Sequence, residues 1–199
     1  MDINLQILII VLTFIWGSIP FGYLLTKIFT GKNILKLGSG NIGSTNVCRI
    51  AGKRISICTQ LLDMLKGLLP VGAFLYINKE YTNCPDYYVY IIAISSIIGH
   101  DYSLFLKFRG GKGVNTTLGA SILIAPFPVL VSVLIYFITK WRFKYVSLGS
   151  IMLAITLPIT SYIIYGLTPT FYYLLICTLL IIIRHKKNIH RLIHNKELQ

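Results

Sequence analysis

Three polar stretches interrupt an otherwise apolar chain, and they hold most of the groups able to do chemistry. The first reads Gly38-Ser39-Gly40-Asn41-Ile42-Gly43-Ser44-Thr45-Asn46 and is followed by Arg49. Its glycines let backbone N–H groups turn toward an anion. Ser39, Asn41, Ser44, Thr45 and Asn46 add neutral donors, and the Arg49 guanidinium can grip two phosphate oxygens at once. The letters also fit G-x-G-x-x-G, but the stretch follows an apolar helix with no strand and no βαβ unit, so a dinucleotide fold is excluded. The second stretch runs from Gly99-His100-Asp101 past Lys107 and Arg109 to Gly110-Gly111-Lys112-Gly113. There a lysine stands in a backbone bare enough to approach a ligand closely. It opens an apolar segment whose helical N-terminus favours anions. The GKS/T ending of a Walker A loop is missing. Lys107 and Arg109 read as contacts to anionic headgroups, and Lys112 as a ligand contact. The third stretch, 184–197, places Arg184, Asn188 and Arg191 at helical spacing, with His185 three residues before Asn188. Taken alone it reads as a basic juxtamembrane tail.

The remaining residue types narrow the chemistry. Carboxylates in the polar stretches are few, Asp101 and Glu197, and Asp63 lies in an apolar segment. With no HExxH pair and no Cys/His zinc spacing, no metal site is expected and no cofactor is implied. There is no G-x-S-x-G nucleophile elbow. Five residues after His100 stands Phe105, so a His-x4-Asp acyltransferase signature is also missing. A donor-rich anion site at a membrane surface suits transfer from a substrate that is already activated, by positioning and charge stabilisation.

The elements that must position these stretches follow from composition. Hydrophobic residues make up 55 % of the 199 and charged residues 13 %, against roughly 25 % charged in a soluble domain. With a mean hydropathy of +0.71, a soluble chain of this size could not hide its apolar surface. An aqueous enzyme, a disordered chain and a coiled coil are excluded. The net charge of +13 marks cytoplasmic loops in a membrane protein, and no nucleic-acid partner is expected. Cys48, Cys58, Cys84 and Cys177 form no CxxC, and no structural disulfide is expected. The first basic residue, Lys27, follows the first apolar segment, which therefore reads as a retained span rather than a signal peptide.

The expected fold is an all-α integral membrane protein, a single membrane domain over 1–199. Seven transmembrane helices are expected near 3–28, 55–78, 87–102, 112–125, 127–141, 146–165 and 169–184. The count turns on Ala125-Pro126-Phe127-Pro128 and on the turn signal Tyr165–Pro169, which divide two long uncharged stretches. With seven segments, an outside N-terminus and a cytoplasmic C-terminus, every basic residue but Lys66 and Lys79 falls inside. A hairpin at 113–139 that does not fully cross would satisfy the charges equally well. Asp63 and Lys66, three apart, can pair on one helix face. At such depth they are either a structural brace or chemistry.

Taken together, the three stretches resemble one family: the bacterial integral-membrane glycerol-3-phosphate acyltransferases that use acyl-phosphate, the PlsY type. That family carries GSGNxGATNxxR, GHxxPxFLxFxGGKGVAT and RHxxNIxRLxxGxE. Here they stand as GSGNIGSTNVCR at 38–49, GHDYSLFLKFRGGKGVNT at 99–116 and RHKKNIHRLIHNKE at 184–197. The chain departs at Ser44, Ser103, Asn115 and Asn195, where the family has Ala, Pro, Ala and Gly.

The resemblance implies transfer of a fatty acyl group from acyl-phosphate to the 1-hydroxyl of glycerol 3-phosphate. The products would be lysophosphatidic acid and phosphate. It implies a bacterial inner (plasma) membrane with membrane lipids as partners; the polar stretches, all on the inside by the charge count, make the site face the cytoplasm, and a monomer is one expectation with the oligomeric state left open by the sequence. Gly38, Ser39, Gly40, Asn41, Gly43, Thr45, Asn46 and Arg49 would cradle phosphate. Gly110, Gly111, Lys112 and Gly113 would make a second phosphate contact, and His185, Asn188 and Ser147 would complete the site. Ser39, Arg49, Lys112, His185 and Asn188 are the expected catalytic residues. His100 is counted among the binding residues and is expected to fix its loop rather than act as a base. The competing reading is an organic-phosphate transporter or channel, which calls for repeats and a polar path through the midplane.

Overall fold

The computed structural model describes residues 3–81 and 84–197, and those residues are helical with no strand among them. The chain divides into two compact units, Met1–Leu123 and Ile124–Gln199. Five helical stretches among the described residues are long and apolar enough to cross a membrane: Ile3–Thr30, Lys53–Lys79, Tyr88–Leu106, Pro126–Phe143 and Val146–Tyr165. Their outward faces are apolar, with Ile28 72 % and Ile163 75 % exposed, a surface suited to hydrocarbon.

In the first unit, α1 (Ile3–Ser18) and α2 (Phe21–Thr30) are separated at Ile19-Pro20. Proline has no N–H to donate and disfavours helical geometry in the residue before it. The uninterrupted helix expected over 3–28 is therefore two. α3 (Ser44–Ala51) lies inside the first polar stretch, and α4 (Lys53–Tyr81) follows it. Ile34, Ile42 and Val47 form a buried cluster that seats this stretch, flanked by Tyr23, Leu35 and Ile50. α5 (Tyr88–Asp101) packs on α1, where Ser95 Oγ donates to the Ile10 carbonyl at 2.8 Å. α6 (Val114–Ser121) packs on α4, and side-chain-free glycines bring the two backbones together: Gly67 faces Thr116 and Gly119 faces Met64. Small residues serve helix packing in lipid this way. The segment expected to span 112–125 is thus an eight-residue helix. At about 1.5 Å per residue it is far short of the roughly 30 Å hydrocarbon core.

The second unit holds α7 (Pro126–Phe143), α8 (Val146–Tyr165), α9 (Pro169–Arg184) and α10 (Lys186–Ile193). Proline opens α7 and α9, where its missing N–H leaves no helical bond unmade. Thr168 caps α9 by accepting from the Phe171 N–H at 3.4 Å. Thr178 Oγ of α9 donates to the Ala154 carbonyl of α8 at 2.6 Å. α10 continues from α9 with only His185 between them.

Candidate active site

The first polar stretch is held in shape by one side chain. Asn46, buried on α3, accepts the Ser39 N–H at its Oδ1 at 3.0 Å. Its Nδ2 donates to the Leu37 and Asn41 carbonyls at 3.1 and 2.9 Å. Both amide hydrogens are thereby engaged inside the loop, so Asn46 shapes the cradle rather than lining it. Asn41 acts likewise, its Oδ1 accepting the Gly43 N–H at 2.8 Å. For Asn46 the expected donor to a ligand is instead an internal brace, while Asn41 braces the loop through its side-chain oxygen. Ser39, Gly40, Gly43 and Thr45 are half-buried, and Gly38 and Arg49 are exposed.

The second stretch folds over the end of α5. The Gly111 N–H donates to the His100 carbonyl at 2.9 Å. A Cβ on Gly111 would run into His100 Nε2, so only glycine lets the loop lie on the imidazole. Gly113, at φ +73°, turns the chain into α6 through the left-handed region. Lys112, half-buried, stands between them. His100 is 4 % exposed and lies beneath the loop. Its Nδ1 is 3.5 Å from Asp63 Oδ1 and 3.4 Å from Lys66 Nζ. Asp63 and Lys66 themselves pair at 3.0 Å, as their spacing suggests. Ser103, where the family pattern has proline, is buried and donates to the Ser18 carbonyl at 2.5 Å, which anchors the loop where proline would have stiffened it. The two stretches meet: Asn115 Nδ2 of α6 donates to Ser44 Oγ of α3 at 3.4 Å.

In the second unit, His185 joins α9 to α10 and is 2 % exposed, its Nδ1 2.8 Å from the Ile181 carbonyl. Asn188 Nδ2 donates to Glu197 Oε1 at 2.6 Å, and Arg191 Nε lies 3.1 Å from Glu197 Oε2. Glu197 thus ties together Asn188 and Arg191 of α10. Ser147, in the first turn of α8, is buried with no partner for its hydroxyl among the described residues, and α8 and α10 touch.

Two features escaped the sequence reading. Thr116 and Thr117, in the first turn of α6, are fully buried with hydroxyls unpartnered among the described residues. Asp101 is fully buried beneath Gly113, whose Cβ would meet its carboxylate at 3.1 Å. The visible signal was an acidic residue directly after Gly99-His100, in the stretch that ends in Gly110-Gly111-Lys112-Gly113. No group of three or more His, Cys, Asp or Glu among the described residues could hold a metal ion.

Comparison with known proteins gives these stretches a context. Residues 7–195 match the family model described as glycerol-3-phosphate acyltransferase. A glycerol-3-phosphate acyltransferase of Clostridium acetobutylicum is 45 % identical over 96 % of this chain and 98 % of its own length. One of Syntrophotalea carbinolica is 40 % identical over 91 % of this chain and 90 % of its own. The crystal structure of PlsY (YgiH), an integral membrane glycerol 3-phosphate acyltransferase, in its glycerol 3-phosphate form, superposes with a TM-score of 0.89 at 31 % identity. It covers 98 % of this chain and 94 % of that one. The lysophosphatidic acid form superposes at 0.84.

Proposed function

This chain belongs to the glycerol-3-phosphate acyltransferase family, and from that premise we propose that it transfers a fatty acyl group from acyl-phosphate to the 1-hydroxyl of glycerol 3-phosphate. The 1-hydroxyl oxygen attacks the acyl carbonyl carbon. The bond from that carbon to the bridging oxygen breaks, and phosphate leaves with the electron pair. The hydroxyl proton passes to the donor's phosphate, and the products are lysophosphatidic acid and inorganic phosphate. Acyl-phosphate is a mixed anhydride, so its leaving group needs no covalent acyl-enzyme. The chain's own part is to hold two anions side by side and balance the charge that develops.

One observation carries the reading. The Ser39–Gly43 backbone, fixed by Asn46 and Asn41, and the Gly110–Gly113 turn with Lys112 belong to stretches joined through Ser44 and Asn115. Two phosphate-suited backbones in one unit match a reaction whose substrates both carry phosphate. In this account the Ser39–Gly43 loop and Arg49 hold one phosphate, and Lys112 balances charge on the departing one. The order and spacing of the motifs support Ser147, His185 and Asn188 as further residues for this reaction.

The chain works as one membrane domain of seven segments, α6 and α7 forming the hairpin in which α6 does not fully cross, with an outside N-terminus and the polar stretches on the cytoplasmic side of a bacterial inner membrane. The basic residues support that orientation. A transporter of organic phosphate is disfavoured because the charged groups in the apolar segments, Asp63 and Lys66, neutralise one another. Purified protein given acyl-phosphate and glycerol 3-phosphate should form lysophosphatidic acid and release phosphate. Formation of neither product would reject the enzyme.

A further inference from the structure

The reaction as described makes no use of a cluster sealed inside the first unit. Asp63 and Lys66 of α4 are 2 % and 0 % exposed, and His100, in the last turn of α5, lies against them. Placing ions at such depth is costly. Replacing a buried ion pair by apolar side chains of similar volume is often neutral or stabilising, so stability alone gives no reason for this one.

Its geometry gives another. Lys66 Nζ donates to the Ile19 carbonyl at 2.6 Å, at the break between α1 and α2, and lies 4.9 Å from the Phe21 ring centroid. Its own carbonyl accepts from Ser96 Oγ of α5 at 2.6 Å. Lys66 is therefore held at both ends, its ammonium at the break between α1 and α2 and its main-chain carbonyl by α5. It holds Asp63 at 3.0 Å, and both groups meet the inner nitrogen of His100. With Nδ1 turned toward the ion pair, the opposite edge of the ring, Nε2, lies under Gly111. The same residue's carbonyl takes the Gly111 N–H. Ring and main chain of His100 thus support the glycine loop from two sides.

We propose that Asp63, Lys66 and His100 form a buried positioning triad that sets the Gly110–Gly113 loop, and through it Lys112, for the phosphate it contacts. The triad touches no substrate, and the proposal rests on the acyltransferase reading of that loop.

The test is a double-mutant cycle on the full chain in detergent, with acyl-phosphate and glycerol 3-phosphate as substrates and thermal melting as the check on folding. The paired substitution Asp63→Asn with Lys66→Met removes both charges, so neither is left stranded. It should lower turnover at least tenfold in the parent and by no more than about twofold in the Lys112→Ala background, because residues acting through one another are non-additive. A merely structural pair would cost the same factor in both backgrounds. That result, or a loss under twofold in the parent, would overturn the proposal. If the paired variant does not fold, His100→Asn decides by the same criteria, since its amide can occupy the Nδ1 position while the ring beneath Gly111 is gone. Loss of folding there as well would make the cluster an anchor of the fold and end the proposal. A parent without transfer activity would remove the acyltransferase reading itself. An active parent with additive losses would remove the triad alone.

Discussion

Gly111→Ala puts one methyl group at the tightest point of the candidate site. Besides the collision with His100 Nε2, the added Cβ would stand 2.7 Å from Cε1 and 2.8 Å from Cδ2 of the same ring. Non-bonded carbon atoms settle at about 3.5–4.0 Å, so ring or loop must yield by roughly an ångström. The ring has little room, with its Nδ1 against Asp63 and Lys66 and the residue itself buried. The loop therefore moves and takes Lys112 with it. Overpacking of this kind costs about 1–3 kcal/mol of stability, which a folded protein survives. A 1 Å misplacement at a reacting centre costs about a hundredfold in rate, equivalent to about 2.7 kcal/mol on the barrier. Turnover should therefore fall about a hundredfold while the protein still inserts and melts cooperatively, read by initial phosphate release and by thermal denaturation. Gly72→Ala is the control: its Cβ would meet only the Leu123 Cδ1 at 3.3 Å, the end of a flexible side chain, and turnover should hardly change. A Gly111→Ala enzyme retaining more than half its turnover would refute the reasoning.

Lys112→Ala should lower turnover by roughly a hundredfold or more, the scale of losing one oxyanion donor. Lys112→Arg should recover little, because a planar fork does not replace a compact charge, and Lys107→Ala should change turnover only slightly in the same assay. Asn46→Ala removes three bonds from the first loop; at about 0.5–1.5 kcal/mol each it should lower the melting temperature and reduce turnover at least tenfold, and unchanged kinetics would count against the cradle. In a cysteine-free background, a cysteine at Asn33 or His194 should react with an impermeant reagent only from the cytoplasmic side and one at Asp86 only from outside. Labelling of Asp86 and His194 from the same face would refute the orientation.

Much of this arrangement was legible because polar residues in an apolar chain are few and therefore informative. The three stretches stood out, and the three-residue spacing of Asp63 and Lys66 foretold a pair that the structure places at 3.0 Å. What stayed hidden depended on direction or distance. Ile19-Pro20 lies in a stretch apolar enough to mask the break between α1 and α2. The apolar run after Lys112 continues past Ser121, so its length concealed how short α6 is. Asn46 shows the same amide whether it faces a ligand or ties its own loop, and only its three partners decide. The contact of His100 with Asp63 and Lys66 spans more than thirty residues of chain, beyond the reach of any local spacing rule.

The central claim is the identity of the acyl donor, and a side-by-side comparison of donors tests it most directly. Purified protein with glycerol 3-phosphate should be given acyl-phosphate, acyl-CoA or acyl carrier protein in turn, with lysophosphatidic acid and phosphate both counted. The account predicts turnover with acyl-phosphate alone, one phosphate released for each lysophosphatidic acid formed. Robust acyl transfer from acyl-CoA with no acyl-phosphate present would contradict it.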